Sequence, residues 1–275
     1  MNLYRLLQER AAAGRPLRAA LIGAGKFGSM FLAQVRRTPG LHVAAVADLS
    51  PPRAKESLAR TGWPAEQFAA ASPGEALAKG STFVTEDALA AIAGDGIEVV
   101  IDATGSPAAG IRHVLACCRH GKHIVMVNVE ADALAGPLLA RRAREAGIVY
   151  SLAYGDQPAI ICELVDWARA SGLSVVCAGK GTRYHPDFHA STPETVWENF
   201  GWSQETVAKA GVNPKMYNSF IDGTKSGIEM TAVCNATGLT PPPDGLGFPP
   251  CAAGASPITR SRACGSPKLG TGRPQ

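Results

Sequence analysis

Five polar residues in the second half of the chain stand in patterns that could move a proton or hold a charged substrate: Lys180, Asn218, Asp222, Lys225 and Glu229. Lys180 lies between two glycines in Gly179-Lys180-Gly181-Thr182-Arg183-Tyr184-His185, directly after the apolar run 173–178. An exposed ammonium at the end of a strand can bind a phosphate or deliver a proton to a carbonyl oxygen. The other four belong to the segment 218–229. If that segment is one helix, Asp222, Lys225 and Glu229 stand at i, i+3 and i+7 and share a face. A carboxylate–ammonium–carboxylate face can orient hydroxyl groups or hold a divalent metal such as Mg or Mn. Simpler readings stay open, namely a solvated lysine in a turn and an exposed ion-pair stripe. Gly223 and Gly227 weaken a helix without evident packing gain, which argues against a plain surface stripe.

The first half carries a different pattern. An apolar run, 17–22, leads into Gly23-Ala24-Gly25-Lys26-Phe27-Gly28, and Met30, Phe31 and Val35 continue it with a helical period. Gly-x-Gly-x-x-Gly between a strand and a helix is the fingerprint of a dinucleotide site. Gly23 permits the tight turn, Gly25 lets the backbone approach a pyrophosphate, and Gly28 lets the helix pack closely on the sheet. The helix start, with Lys26 and Phe27, offers free amides and the positive end of a dipole to the phosphates. Asp48 closes the second strand 20 residues after Gly28, where a carboxylate meets the adenosine ribose. It favours the free 2′-hydroxyl of NAD, whereas Ser50 and Arg53 just beyond it could hold the 2′-phosphate of NADP, so both cofactors stay open. Thr104 and Gly105, after a later strand, are expected beneath the nicotinamide side, with Asn128 and Glu130 facing the same crevice. A glycine turn without a ligand, and Asp48 as a helix cap, are the plain alternatives. Asp156 also reads as a cap. His185 and His189 are four apart, but Pro186 between them spoils a helical metal pair.

These residues need a scaffold, and the periodicity supplies one. Strands are expected at 17–22, 41–47, 97–103, 124–127 and 148–153. Helices are expected at 53–60, 108–119 and 133–145, and 83–93 reads as a loop and short helix capped by Thr85. Strands alternating with helices imply right-handed parallel crossovers, hence an α/β, doubly wound Rossmann sheet over residues 1–154. From 155 a second, partial α+β substrate or catalytic domain is expected to about 240. It has a helix at 158–171, a strand at 173–178, and helical segments at 193–199, 203–209 and 216–237. Beyond Thr240 the chain turns rich in Pro, Gly, Ser and Arg, and 241–275 is expected to be disordered, or the aberrant end of a longer protein.

Composition narrows the function classes. Lys and Arg exceed Asp and Glu by 27 to 23, with no long run of like charge, which argues against a nucleic-acid partner. No apolar stretch is long enough for a signal peptide or membrane span, so a cytoplasmic protein is expected. The seven cysteines are irregularly spaced and odd in number, as expected of reduced core thiols. A small phosphorylated or hydroxy-carbonyl substrate is the expected partner, together with a second copy of the chain in a homo-oligomer.

Several motifs carry a resemblance. Ala-Leu-Ile-Gly-Ala-Gly-Lys-Phe-Gly-Ser-Met at 20–30, Val-Ala-Asp-Leu-Ser-Pro at 46–51 and Tyr-Gly-Asp-Gln-Pro at 154–158 are joined by Gly-Lys-Gly-Thr-Arg-Tyr at 179–184 and Asp-Gly-Thr-Lys-Ser-Gly-Ile-Glu-Met at 222–230. Over about residues 1–250 the chain resembles bacterial oxidoreductases related to homoserine dehydrogenase, and within them the deoxyxylulose-phosphate reductoisomerase-like enzymes. The resemblance implies an NADPH-dependent conversion of 1-deoxy-D-xylulose 5-phosphate to 2-C-methyl-D-erythritol 4-phosphate. In that reaction an intramolecular rearrangement gives an aldehyde that the cofactor reduces, an early step of isoprenoid synthesis. Members of the group run on past the length of this chain. A homoserine dehydrogenase-like activity on another hydroxy-aldehyde, and a non-catalytic dinucleotide-binding protein, are the alternatives.

Overall fold

The computed structural model describes residues 2–210 and 212–248. Its contacts divide the chain into two units, with the boundary between Tyr154 and Gly155.

The first unit opens with helix α1 (Leu3–Ala12) and strand β1 (Leu17–Ile22), then α2 (Lys26–Val35), β2 (Leu41–Ala47), α3 (Pro51–Arg60) and α4 (Pro73–Lys79). It continues through β3 (Phe83–Thr85), α5 (Ala88–Ala93), β4 (Val99–Asp102), α6 (Pro107–His120), β5 (His123–Met126), α7 (Val129–Glu145) and β6 (Tyr150–Leu152). The six strands are all parallel, in the order β3-β2-β1-β4-β5-β6. The order reverses direction between β1 and β4, which places a ligand crevice at the carboxyl ends of those two strands.

The strands are near-continuously apolar because both faces of the sheet are covered. Alternate residues of β1 divide between two cores. Ala20 and Ile22 pack with Ile92 of α5, Val114 of α6 and Leu139 of α7, while Ala19 and Leu21 pack with Leu32 of α2 and Leu58 of α3. Local chemistry starts and stops the helices. Ser106 and Asn128 cap α6 and α7 with their side chains, and Gly121 ends α6 in the left-handed conformation. Two elements depart from the sequence expectation. Residues 83–85 form an edge strand rather than a loop, and Asp87, not Thr85, caps the helix that follows. A three-residue strand leaves no readable alternation, and only pairing with β2 defines it.

The second unit contains α8 (Gln157–Ala170), α9 (Val196–Phe200), α10 (Gln204–Ala210), α11 (Pro214–Ser219) and α12 (Thr224–Thr237). Ile161 and Val165 of α8 pack on Val233 of α12, with Met230 and Val175 against them. The strand expected at 173–178 does not form. Leu173 and Val176 are exposed there, and none of the described residues past 154 is in a strand that could pair with it. The single helix expected over 216–237 is two, because Gly223 adopts φ 93° and stops the chain between α11 and α12. Of the expected tail, 241–248 are described and form no helix or strand, and 249–275 lie outside the described residues.

Cys117, Cys118, Cys162 and Cys234 are reduced thiols, as expected, whereas Cys177 is disulfide-bonded. Burial pushes the Cys117 thiol up to about 12, which leaves it a core side chain rather than a nucleophile. Among the described residues no helix is long and apolar enough to cross a membrane.

Candidate functional site

The first cluster sits at the carboxyl ends of β1, β2 and β4. Gly23 has φ 95°, and a Cβ there would meet the Ala103 carbonyl oxygen at 2.8 Å. A Cβ on Gly28 would fall 2.2 Å from the Gly23 carbonyl oxygen, so both glycines are required by the close approach of turn, helix and strand. Gly25 differs. Its φ is ordinary at −70°, and a Cβ there would meet nothing within 4 Å. Among the described residues the space beside Gly25 is therefore open, at the start of a helix that none of their side chains caps. Open space, free amides and a helix dipole are what a pyrophosphate needs, so these residues fit the phosphates of a dinucleotide. Lys26 and Phe27 are exposed at this helix start.

Asp48 is buried and ties the glycine turn down. Its Oδ2 accepts the Ala24 N–H at 2.9 Å, while Oδ1 accepts the Ser50 N–H at 2.9 Å and the Arg53 guanidinium at 2.8 Å. Arg53 is otherwise exposed. Asp48 and Arg53, read separately from the sequence, are thus one ion pair at the edge of the turn.

Asp102 was missed by the sequence reading. It is fully buried, and its Oδ2 lies 2.7 Å from His113 Nδ1, while Oδ1 accepts both the main-chain N–H (2.9 Å) and the hydroxyl (2.8 Å) of Thr104. Burial alone would raise its pKa. The hydrogen bonds from His113 and Thr104 outweigh burial and hold it below the usual range. The available signal was a lone carboxylate in an otherwise apolar strand, which must find partners. Asn128 corrects an expectation. It does not face the crevice: it is buried, donates to the Thr104 hydroxyl (3.0 Å) and the Ser106 carbonyl (2.8 Å), and caps α7 by accepting the Ala131 N–H (3.2 Å). Every polar atom of its amide is committed within the fold. Asp102, His113 and Asn128 together hold the loop 104–106, leaving Gly105 exposed at φ 65°.

The second cluster lies in the second unit. Glu229 of α12 is completely buried, and its carboxylate is paired with two lysines. Lys180 hydrogen-bonds its Oε2, and the Lys225 ammonium lies 2.8 Å from its Oε1. Lys180 also donates to Gln157 Oε1 at 2.8 Å, which the sequence reading did not anticipate. Gln157 begins α8 just after Asp156, which is that helix's cap as expected. Lys180 is held from two sides and keeps only 14% of its side chain exposed.

Asp222 is the second correction. It stands before α12, not on it, because Gly223 breaks the helix. Its Oδ1 accepts the Thr224 N–H at 2.8 Å and its Oδ2 accepts the Asn218 amide at 2.9 Å. It does not share a face with Lys225 and Glu229. Asn218 is buried, donates also to the Ser191 carbonyl at 3.1 Å, and among the described residues its buried Oδ1 has no hydrogen-bond partner. Among the described residues no three His, Cys, Asp or Glu side chains group as a metal ion would require, so the proposed carboxylate face for Mg or Mn is not assembled.

Comparison with known proteins agrees with this division. Residues 23–151 match the homoserine dehydrogenase NAD binding domain, and residues 155–263 match the catalytic domain of oxidoreductase DRL. Both are oxidoreductase domains. A comparison with the sequences of curated proteins gives no match. Among solved structures, the chain is similar to an NAD binding oxidoreductase from Klebsiella pneumoniae at 20% identity, covering 57% of this chain and 39% of that one with a TM-score of 0.40. A homoserine dehydrogenase from Thiobacillus denitrificans gives 20% identity, 57% and 34% coverage and a TM-score of 0.44. An oxidoreductase from Agrobacterium radiobacter, solved with NAD+, L-tartaric acid and magnesium, gives 21%, 57% and 40%, and 0.40. The chain thus spans about two fifths or less of the length of these structures.

Proposed function

We propose that this protein is an NAD(P)H-dependent oxidoreductase that reduces the carbonyl of a small hydroxylated or phosphorylated substrate, with Lys180 as the proton donor. The observation that carries this reading is the clamp on Lys180. A buried carboxylate and an amide oxygen fix an ammonium that a solvated lysine would leave mobile, and they do so within the segment matched by an oxidoreductase catalytic domain. The dinucleotide, when bound, supplies the hydride. Gly23, Gly25 and the start of α2 hold its pyrophosphate, and Asp48 accepts from its ribose. The loop 104–106, fixed by Asp102 and Asn128, supports the nicotinamide end. Lys180 uses two of its three N–H bonds on Glu229 and Gln157, and gives the third to the carbonyl oxygen as charge develops there. Glu229 holds the ammonium in place, and Lys225 balances the remaining carboxylate charge.

Within that class, the reaction to try first is the reductive rearrangement of 1-deoxy-D-xylulose 5-phosphate, which the motifs at 179–184 and 222–230 suggest. A homoserine dehydrogenase-like reaction is the second reading, favoured by the match over 23–151. Purified protein is incubated with NADH or NADPH, with and without Mg or Mn, and with deoxyxylulose phosphate or unphosphorylated hydroxy-aldehydes, while nicotinamide absorbance is followed. Oxidation with the phosphorylated compound and its loss in Lys180→Met support the first reading. Oxidation only with unphosphorylated compounds supports the second. Cofactor binding without turnover of any carbonyl refutes the enzymatic assignment.

A further inference from the structure

At the amino end of the sheet, strands β1 and β2 open onto a groove of about 970 Å³. A strand rises roughly 3.3 Å per residue, so the six-residue β1 separates this groove from the glycine turn by about 17 Å. Part of the lining is apolar, including Leu41, Leu77 and the Trp63 indole. The indole N–H is already spent on the Leu32 carbonyl at 3.0 Å, so Trp63 offers the groove a ring and no free donor. The charged part of the lining is mostly basic. Arg10, Arg15, Arg18 and Arg36 face a single carboxylate, Glu98.

That carboxylate is engaged on one side of the groove. Arg10 Nη2 donates to it at 2.6 Å and the Arg18 main-chain N–H at 3.0 Å. The other two guanidiniums have no such counter-charge. Arg36 donates to the neutral Thr61 carbonyl at 3.1 Å, and among the described residues neither it nor Arg15 has an acidic partner. Arg36 also lies where any side chain at residue 62 would reach. A Cβ on Gly62 would be 2.5 Å from its Nη1, so the guanidinium packs over that glycine. A concave surface with excess positive charge concentrates anions, and a guanidinium binds phosphate oxygens through two parallel N–H bonds.

We propose that this groove is a second ligand site, distinct from the dinucleotide turn, for a small amphipathic organic phosphate. The phosphate sits on Arg15 and Arg36, and the apolar body lies against Trp63 and Leu77. The site depends on the first unit alone and does not require the catalytic reading.

The test uses 1-naphthyl phosphate as probe, with 1-naphthol and inorganic phosphate as its two halves. Each is titrated into the full chain by calorimetry, with tryptophan fluorescence as a second signal. The expected result is binding of naphthyl phosphate at least about tenfold tighter than either half. Saturating NADH leaves it in place, and Arg15→Ala/Arg36→Ala weakens it at least about tenfold while NADH binding is unchanged. Arg15 is exposed and unpaired among the described residues, so Arg15→Glu alone tests the same charge without risk to folding. Equal affinity for naphthol, unchanged binding in both variants, displacement by NADH, or no binding at millimolar probe each overturns the proposal.

Discussion

Removing the Glu229 carboxylate tests the clamp on Lys180 through stability, without assuming any substrate. In Glu229→Ala the Lys180 side chain, 14% exposed, stays largely buried, and among the described residues its ammonium keeps the bond to Gln157. Breaking a buried ion pair by deleting one partner costs about 3–5 kcal/mol, because the surviving charge stays desolvated. Lys225 contributes little to that figure. Its side chain is 37% exposed, and a lysine four residues before a glutamate is the weaker helical orientation. Lys225→Ala is therefore expected to cost less than about 1 kcal/mol. Urea unfolding followed by tryptophan fluorescence reports on the right unit, since Trp167, Trp197 and Trp202 all lie beyond residue 154. With Lys180→Met, the double variant should show a coupling energy of about 2 kcal/mol or more, within the range for residues in contact. A Glu229→Ala loss below about 1 kcal/mol, or effects of Glu229→Ala and Lys180→Met that add within about 0.5 kcal/mol, would refute the clamp.

The glycine turn makes a paired prediction. Gly25→Ala should leave the unfolding midpoint unchanged yet abolish NADH binding by calorimetry, since the new methyl meets only the space a pyrophosphate would fill. Gly23→Ala should lose both, with φ 95° and a carbonyl oxygen 2.8 Å from the new Cβ. Asp48→Ala should raise the affinity for NADPH relative to NADH, because it would remove the proposed ribose acceptor and release Arg53; an unchanged ratio in direct binding would argue against Asp48 as the selector. Asp102 carries a pH signature. Its folded pKa lies below its ordinary 3.8, so its stabilisation is complete above that value and is lost as pH falls through the lowered one. Asp102→Asn should thus be less stable at neutral pH, with a shallower acid limb below about pH 4 in urea midpoints than the parent chain.

Local chemistry determined a good deal of this protein from its sequence alone. Strand, turn and helix around Gly23, Gly25 and Gly28 are consecutive in the chain, and each step has its own signal: an apolar run, residues that tolerate a tight turn, a helical period. The alternation of such units implied a parallel sheet before any contact was known, because successive crossovers leave few other arrangements. Gly223 was likewise visible as a residue that weakens a helix, although its effect, separating Asp222 from Lys225 and Glu229, was not drawn from it. Pairings at long range were decided only by the tertiary structure. Lys180 and Glu229 are 49 residues apart and Asp102 and Asn128 are 26 apart, and nothing in either local sequence names the partner. The physical reason is burial. A charge or amide in an apolar environment must satisfy its polar atoms with whatever the fold brings within hydrogen-bond distance. Folding therefore commits Asn128 to a loop, Asp48 to the glycine turn, and Lys180 to a carboxylate contributed by a distant helix.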